Sequence, residues 1–131
     1  MASIFRRIIQ GEIPCYKVSE DDQHLAFLDI NPVATGHVLV VPKVETDYIF
    51  DITDPAYQEL WVFARKVAVG LKKAVPCLKV GVTVIGLEVP HAHIHLVPMQ
   101  NMSDMNFSRT KLTPSKEELE TIQKLIAQHL A

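Results

Sequence analysis

Three runs of β-branched and aromatic residues between residues 15 and 42 constrain the fold of this chain more than any other feature. The runs read CYKVSE, HLAFLDI and HVLVVP, and they are separated by the segments DDQ and NPVATG, which have the composition of turns. Strands joined by such short turns pair antiparallel with their neighbours. This part of the chain therefore predicts an antiparallel meander.

A long amphipathic helix is predicted after the meander. Apolar residues recur at helical spacing from Tyr57 to Leu71, with Asp54 and Pro55 as the expected start and Pro76 as the boundary. Two further strands are predicted in LKVGVTVIG and HAHIHLVP. We therefore expect an α+β fold with about five antiparallel strands and one long central helix.

Shorter helices are predicted at both ends of the chain. Ser3 is a candidate N-cap for a short helix that ends at Gly11. At the other end, the segment PSKEELETIQKLIAQHL (114–130) has Ser115 and Glu118 in capping-box spacing before an apolar stripe. Since 48% of the residues are hydrophobic, the chain can bury an ordinary core, and we expect residues 1–131 to form a single domain.

The charge balance excludes one class of partner. The formal net charge is -2, from 13 basic and 15 acidic residues without a basic stripe, so long DNA or RNA is not expected as a partner. A single nucleotide needs only a few backbone amides and imidazoles. No apolar run approaches the roughly 18 residues of a membrane span, and no secretion signal is recognised. We expect a cytoplasmic protein with Cys15 and Cys77 as reduced thiols.

Three of the six histidines occupy alternate positions in the segment HAHIHLVP. On an extended strand, His91, His93 and His95 share one face, and the intervening apolar residues share the other. Histidine is not a favoured strand residue, so three of them in register indicate a function.

Four interpretations account for this histidine face. In the first interpretation, the histidines only decorate a solvated face. In the second, they bind zinc, with His37 or Glu88 as a further ligand. In the third, they sense pH near neutrality. In the fourth, one neutral imidazole attacks phosphorus while its neighbours hold the phosphate and handle protons. The fourth is favoured, because flanking cationic imidazoles complement the charge of a phosphoryl group, and the zinc alternative stays open.

The pattern His-x-His-x-His followed by two apolar residues, from His91 to Val97, resembles the signature of the histidine triad (HIT) superfamily. The segments IFRRIIQGEIPCYKV, DDQHLAFLDINPVATGH and VLVVPK resemble the Hint branch of that superfamily. The resemblance implies a HIT-like α+β fold and a homodimer whose sheets join across a two-fold axis. It also implies a purine nucleotide, a derivative of AMP or GMP, as the substrate.

The resemblance implies a role for each matching residue. His93, the middle histidine, is the implied nucleophile and forms a covalent nucleotidyl-histidine. His91 and His95 are implied to hold phosphate and to handle protons, and His37 supports the site. Asp29 is implied to hold the ribose hydroxyls. The implied base pocket consists of Ile4, Phe5, Ile8, Phe27, Leu28 and Ile30, with a place in the core as an equal alternative for Ile8 and Ile30.

The segment before the triad departs from the family pattern. Relatives carry Gln-Ser or Gln-Thr there as phosphate ligands, whereas this chain reads TVIGLEVPH, with Leu87 and Glu88 in their place. A carboxylate repels phosphate unless it is protonated, paired or turned away. Either the leaving group is cationic, as an amine is, or the phosphate ligands have changed. Glu88 is also a candidate to orient His93 or another imidazole.

Two more departures concern the ends of the chain. Ser3 and Arg6 stand where some bacterial relatives begin a Cys-x-x-Cys zinc knuckle, so no metal is expected there. The chain beyond Pro98 is longer than the Hint pattern, and it is predicted to form a loop and a packed helix up to Ala131. A substrate wall or a dimer surface is the alternative role for this extension.

The combined features predict a cofactor-free hydrolase that releases AMP or GMP from a purine nucleoside phosphoramidate. A dinucleoside polyphosphate hydrolase is the alternative within the same chemistry. A nucleotide-binding or interaction protein with negligible turnover is the alternative from a different class.

Overall fold

The structure is a computed structural model that describes residues 2–130. An open antiparallel sheet has the strand order β1-β2-β3-β5-β4. Its strands are β1 (Lys17–Glu20), β2 (His24–Leu28), β3 (Val38–Pro42), β4 (Lys79–Thr83) and β5 (Ile94–Met99). The helices are α1 (Ile4–Ile9), α2 (Ala56–Ala74) and α3 (Lys116–Gln128), with 3-10 turns at Ile49–Asp51 and Met102–Met105. This arrangement confirms the predicted α+β class and the antiparallel meander.

The helix starts agree with the sequence signals at two of three sites. Ser3 caps α1, since its hydroxyl accepts from the Arg6 amide. Ser115 and Glu118 form the predicted capping box of α3. The predicted start of α2 at Asp54 is wrong, because the helix begins at Ala56 and the N-cap position is occupied by Pro55 without a side-chain cap.

Two apolar cores cover the two faces of the sheet. Ala26 and Leu28 of β2 belong to the main core, which lies between the sheet and the helices α2 and α3. The alternate residues of β2 belong to a second cluster, which we call the α1 core and which consists of Phe5, Leu25, Phe27, Leu39 and Val41. Because both faces of β2 are covered, all five of its residues are buried.

The C-terminal helix packs onto the rest of the molecule. Leu119 and Ile126 of α3 are buried in the main core. The Gln123 side-chain amide donates to the carbonyl of Lys17 in β1 (2.9 Å). The predicted packed helix is therefore present, and it covers the β1 edge of the sheet. Within residues 2–130, no helix combines the length and the apolar character that a membrane crossing requires.

Candidate active site

The histidine triad lies at the start of β5 and not on one regular strand. Because β5 begins at Ile94, only His95 belongs to it, and the predicted strand is wrong for its first three residues. The amide of His91 donates to the carbonyl of Val89 (2.8 Å), and the amide of Ala92 donates to a carbonyl in the loop after β3 (2.7 Å). These two amides are thereby withdrawn from the sheet ladder.

The alternation of side chains nevertheless continues through this break. Ala92 and Ile94 belong to the main core, whereas the ring of His93 packs edge to face on Phe5 of α1 with centroids 4.8 Å apart. All three triad histidines are buried. The interpretation that they decorate a solvated face is therefore wrong.

Both ring nitrogens of His91 are engaged within the protein. Nε2 donates to the carbonyl of Pro42 (2.7 Å), so the neutral ring accepts at Nδ1, where the Ser3 hydroxyl lies 3.2 Å away. Glu45 stabilises the start of α1 beside His91, since it accepts from the Ser3 amide (3.0 Å) and pairs with Arg6 (3.3 Å). The imidazole of His91 therefore has no free nitrogen to present to a phosphate.

The hydrogen bond of His93 fixes which of its nitrogens is reactive. Nδ1 lies 2.8 Å from the carbonyl oxygen of His91. A carbonyl only accepts, so Nδ1 carries the proton and Nε2 carries the lone pair in the neutral ring. Burial lowers the pKa of His93, although the hydrogen bond to His91 opposes this shift. The ring therefore stays neutral, with a nucleophilic Nε2, at physiological pH.

A relay through His37 fixes the proton on His95 in the same way. The amide of Val33 donates to His37 Nδ1 (3.2 Å), so the His37 proton is on Nε2. That nitrogen lies 2.9 Å from His95 Nδ1, which must accept. The neutral ring of His95 consequently carries its proton on Nε2. The buried His37, just before β3, and the buried His95 of β5 thus present a fixed N–H donor at the site.

The nucleophile and the donor are neighbours. The ring centroids of His93 and His95 are 4.8 Å apart. Burial, above all, lowers the pKa of His37 to about 3 and that of His95 to about 4. These values lie well below neutrality, so a pH sensor working near neutral pH does not fit the buried histidines. A lone pair and an N–H donor side by side suit attack at phosphorus.

Asp29 lies at the edge of this cluster. One of its carboxylate oxygens accepts from the Asn31 amide (2.9 Å), and the other lies 3.8 Å from His37 Nε2. Burial raises the pKa of Asp29. The structure therefore brings Asp29 and His37 together beside His95.

The zinc alternative acquires a different ligand set in the structure. The three triad rings do not converge on one point, since both nitrogens of His91 are engaged. Asp29, His37 and His95 instead bring ligand atoms within 4.8 Å of one another. The nitrogens of His37 and His95 are 2.9 Å apart, closer than the roughly 3.3 Å that two imidazoles on a tetrahedral zinc require. Their contact is that of a hydrogen bond.

Glu88 lies beside the cluster without a hydrogen bond to it. Among residues 2–130, no hydrogen bond joins this exposed carboxylate to a triad ring, and Nδ1 of His93 is bonded to a backbone carbonyl instead. Glu88 acts at longer range. Its negative charge adds to the rise that burial causes in the pKa of Asp29, and it opposes the lowering that burial causes in the pKa of His93. Glu88, offered as a candidate to orient His93 or another imidazole, therefore makes no hydrogen bond to either kind of ring within residues 2–130.

The residues expected to form the base pocket divide between three environments. Phe5 and Phe27 pack edge to face in the α1 core with centroids 5.6 Å apart, and Ile8 packs against them. Ile4 and Ile30 are 49% and 57% exposed. Leu28 lies on the opposite face of the sheet from Phe27, in the main core. Leu28 therefore does not share a pocket with Phe27, because neighbouring residues of a strand point to opposite faces.

The segment after β5 supplies site residues that sequence reasoning missed. The ring of Phe107 packs edge to face on His95 and on His37, with centroids 4.8 Å and 5.6 Å away. Arg109 ties this segment to the site, since it donates to the carbonyl of Val33 and pairs with Asp104 (3.2 Å). The aromatic and the cations of MNFSRTK were the available signal, but the segment has no period that would have placed them.

A cavity lies beside the histidines and is not lined by the triad. Its volume is about 600 Å³, and its walls come from the loop after β2 and from the start of α3. Asp29 and His37 line it, together with Thr35, Leu112 and Ile122. Phe5 and Phe107 cover the triad rings themselves. The extension therefore forms a wall next to the site as well as a packed helix.

The chain is similar to known proteins in sequence and in fold. A family model described as "HIT domain" matches residues 10–102. The chain is 33% identical over 135 residues to an uncharacterized HIT-like protein of Borreliella burgdorferi, covering 97% of both chains. It is 36% identical over 101 residues to adenosine 5'-monophosphoramidase HNT1 of Saccharomyces cerevisiae, covering 76% of this chain and 64% of that protein.

A solved structure shows the same architecture. The crystal structure of a Hit-like protein involved in cell-cycle regulation from Bartonella henselae has a TM-score of 0.84 and 31% sequence identity. The match covers 98% of this chain and 96% of that chain. It therefore includes the C-terminal helix as well as the sheet.

Proposed function

The chain belongs to the HIT domain family, and from this premise we propose that it hydrolyses purine nucleoside phosphoramidates through a covalent nucleotidyl-histidine on His93. One observation carries the proposal. His93 Nδ1 donates to the carbonyl of His91, and this leaves the Nε2 lone pair next to the fixed N–H of His95. The name of the yeast relative, adenosine 5'-monophosphoramidase, supports the substrate class.

In the first step, His93 Nε2 attacks the α-phosphorus and a P–Nε2 bond forms. The P–N bond to the amine breaks, and the amine leaves with the bonding electrons and takes up a proton from solvent. The adduct carries positive charge on the ring, which the hydrogen bond from Nδ1 to the His91 carbonyl stabilises. His91 thus acts through its backbone, while its ring binds Ser3, the N-cap of α1, and the carbonyl of Pro42.

In the second step, water attacks phosphorus and the P–Nε2 bond breaks. His93 recovers its lone pair, the water oxygen stays on the phosphate, and the remaining proton goes to solvent. The Nε2–H of His95 donates to a phosphate oxygen in both steps, because His37 keeps the proton on that nitrogen. AMP or GMP is the product.

Asp29 and the exposed side chains of Ile4 and Ile30 bind the nucleoside. The carboxylate oxygen of Asp29 that faces His37 has no hydrogen-bond donor among residues 2–130, so it is available to the ribose hydroxyls. Ile4 and Ile30 supply exposed apolar surface for the base, backed by Phe5 and Phe27.

An intact-mass experiment tests the covalent step. The protein is mixed with adenosine 5'-phosphoramidate, and an adenylyl adduct is expected on His93 together with AMP release. His93→Ala loses both, whereas His129→Ala, a change of the exposed histidine after α3, keeps both. Turnover that survives in His93→Ala contradicts the mechanism. So does a wild-type protein inactive on phosphoramidates, dinucleoside polyphosphates and nucleotide sugars alike.

A nucleotide-binding protein without turnover is the second candidate function, and one observation favours it. Phe5 and Phe107 cover His93 and His95, which are buried. Calorimetry with AMP distinguishes the two functions. Tight binding without any product from phosphoramidates or dinucleoside polyphosphates supports the binding protein, and rates compared over both substrate types rank the two hydrolase alternatives.

We further propose that two copies pair along β4 to form a dimer. At the β1 edge, α3 bonds the carbonyl of Lys17, whereas β4 is an edge strand with Val82 48% exposed. The indole N–H of Trp61 on α2 is buried without a partner among residues 2–130. Light scattering on Val82→Lys is expected to show a smaller mass than on the wild type.

The free thiols of Cys15 and Cys77 fit the proposed cytoplasmic location.

A further inference from the structure

We infer that Lys111 is a phosphate-binding residue that determines affinity for the charged part of the nucleotide. The segment MNFSRTK (105–111), after β5, brings Lys111 to the histidine cluster formed by His37, His93 and His95. This inference rests on the proposed function, because it assumes that a nucleotide occupies the cluster. It assigns a role to a residue that lies outside the triad and after β5.

The cluster lacks a fixed positive charge of its own. Burial keeps His37, His93 and His95 neutral, since it lowers the pKa of each. A nucleotide phosphate brings at least one negative charge into this site, and Glu88 adds another nearby. Neutral N–H donors alone bind a phosphate less strongly than a cation does. The site therefore needs a cation from another part of the chain.

Two arginines near the site are already paired. Arg6 pairs with Glu45 (3.3 Å), at the corner of the site occupied by His91. Arg109 pairs with Asp104 (3.2 Å) and donates to a backbone carbonyl. Neither guanidinium is free to bind phosphate without giving up a carboxylate.

Lys111 is the cation that remains available. Its ammonium lies 5.8 Å from the centroid of the Phe107 ring, and that ring lies 4.8 Å from the ring of His95. It donates to the carbonyls of Phe107 and Arg109, which are neutral, and it has no salt bridge among residues 2–130. The side chain can therefore exchange weak backbone partners for a phosphate without leaving a carboxylate unpaired.

The charge of Lys111 already reaches the functional groups of the site. Burial is the main cause of the pKa shifts of these groups, but the charge of Lys111 adds to the lowering of the pKa of His37 and of His95 and opposes the rise of the pKa of Asp29. The same ammonium thus influences the proposed phosphate donor and the proposed ribose acceptor. A nucleotide held between Asp29 and His95 brings its phosphate within reach of a lysine side chain in this position.

Binding of AMP and of adenosine, measured by calorimetry, separates this role from a structural one. Lys111→Gln keeps a donor for the backbone carbonyls but removes the charge. We expect its Kd for AMP to rise about tenfold while its Kd for adenosine stays within about twofold of the wild type. Lys111→Arg restores most of the AMP affinity. The matched control Lys116→Gln, a change of an exposed lysine of α3, leaves both affinities unchanged.

Several results overturn the inference. Equal weakening of AMP and adenosine binding in Lys111→Gln indicates a structural role, and unchanged AMP binding excludes a phosphate contact. If AMP binding does not depend on Lys111 but an adduct forms on His93, this inference is overturned and the proposed function stands. If AMP binding depends on Lys111 but neither adduct nor turnover is found, the proposed hydrolase is overturned and the phosphate-binding role of Lys111 stands. A wild-type protein that binds neither compound overturns both.

Discussion

His37 Nε2 lies 2.9 Å from His95 Nδ1, and this contact sets the proton on both rings. Leu39 and His95 are register partners of β3 and β5, so the residue just before β3 reaches the triad across the sheet. The Val33 amide fixes the first ring, and the first ring fixes the second. A backbone N–H in the loop after β2 thus determines which nitrogen of His95 faces the site.

Removing the ring of His37 tests this relay. In His37→Ala, Nδ1 of His95 loses its donor, and the proton can move to that nitrogen. We expect kcat for phosphoramidate hydrolysis to fall about tenfold or more, while the Kd for AMP changes little. Steady-state kinetics and calorimetry measure the two quantities.

His37→Gln is the matched variant for the same relay. Its side-chain amide offers an N–H donor in place of His37 Nε2, so kcat is expected to recover in part. If alanine and glutamine lower kcat equally, or if both weaken AMP binding as much as they slow turnover, the relay does not control the proton on His95.

The buried histidines make stability depend on pH. The folded-state pKa of His37 is about 3 and that of His95 is about 4, against the usual 6.5 of the unfolded chain. Below pH 6.5 the unfolded state binds more protons, so stability falls as the pH falls toward these values and is constant above pH 6.5. Between about pH 7.5 and pH 5 the loss is about 2 kcal/mol per histidine.

Urea unfolding of the wild type and of His37→Gln at these two pH values checks the sign and the size. The variant lacks one of the titrating rings, so its loss of stability between the two pH values is expected to be smaller by about 2 kcal/mol. An equal loss in both proteins means that His37 is not held neutral in the folded state.

The sequence predicted the sheet and the residues near the triad because their signals are local. Runs of β-branched and aromatic residues between turn segments identified the strands, Ser3 and Ser115 identified helix starts, and the resemblance grouped the triad with His37 and Asp29, which the structure brings close to His95. A family pattern does not say which face of β2 a residue occupies, so it grouped Leu28 with Phe27, whereas the structure places Leu28 in the main core and in the wall of the cavity that Asp29 and His37 line.

Long-range contacts account for what the sequence could not predict. Phe107 and Lys111 lie in a segment without a period, and only the folded chain brings them to His95. The engagement of both nitrogens of His91 depends on Ser3 and Pro42, which are distant in sequence. Neither arrangement has a spacing that a sequence pattern can reveal.

Phe107 is expected to limit access to the triad. Its ring packs on His95 and His37, so Phe107→Ala opens the cluster to solvent. Modification of the buried histidines by diethyl pyrocarbonate is expected to become faster by about tenfold, as followed by peptide mass spectrometry. Phe50→Ala, a change of a phenylalanine that is 68% exposed, leaves the rate unchanged. An unchanged rate in Phe107→Ala shows that another group controls access.

Leu28 and Ile30 separate the core from the proposed base surface. Leu28 is buried in the main core, so Leu28→Ala is expected to lower the free energy of unfolding by about 3 kcal/mol. Ile30 is 57% exposed, so Ile30→Ala changes stability by only about 0.5 kcal/mol. The two substitutions are expected to have the opposite ranking for adenosine binding. The affinity falls several-fold in Ile30→Ala, and it stays near the wild-type value in folded Leu28→Ala. Urea unfolding and calorimetry measure the pair. If Ile30→Ala binds adenosine normally, the base does not rest on this isoleucine, and Ile4 with Phe5 must supply the surface alone.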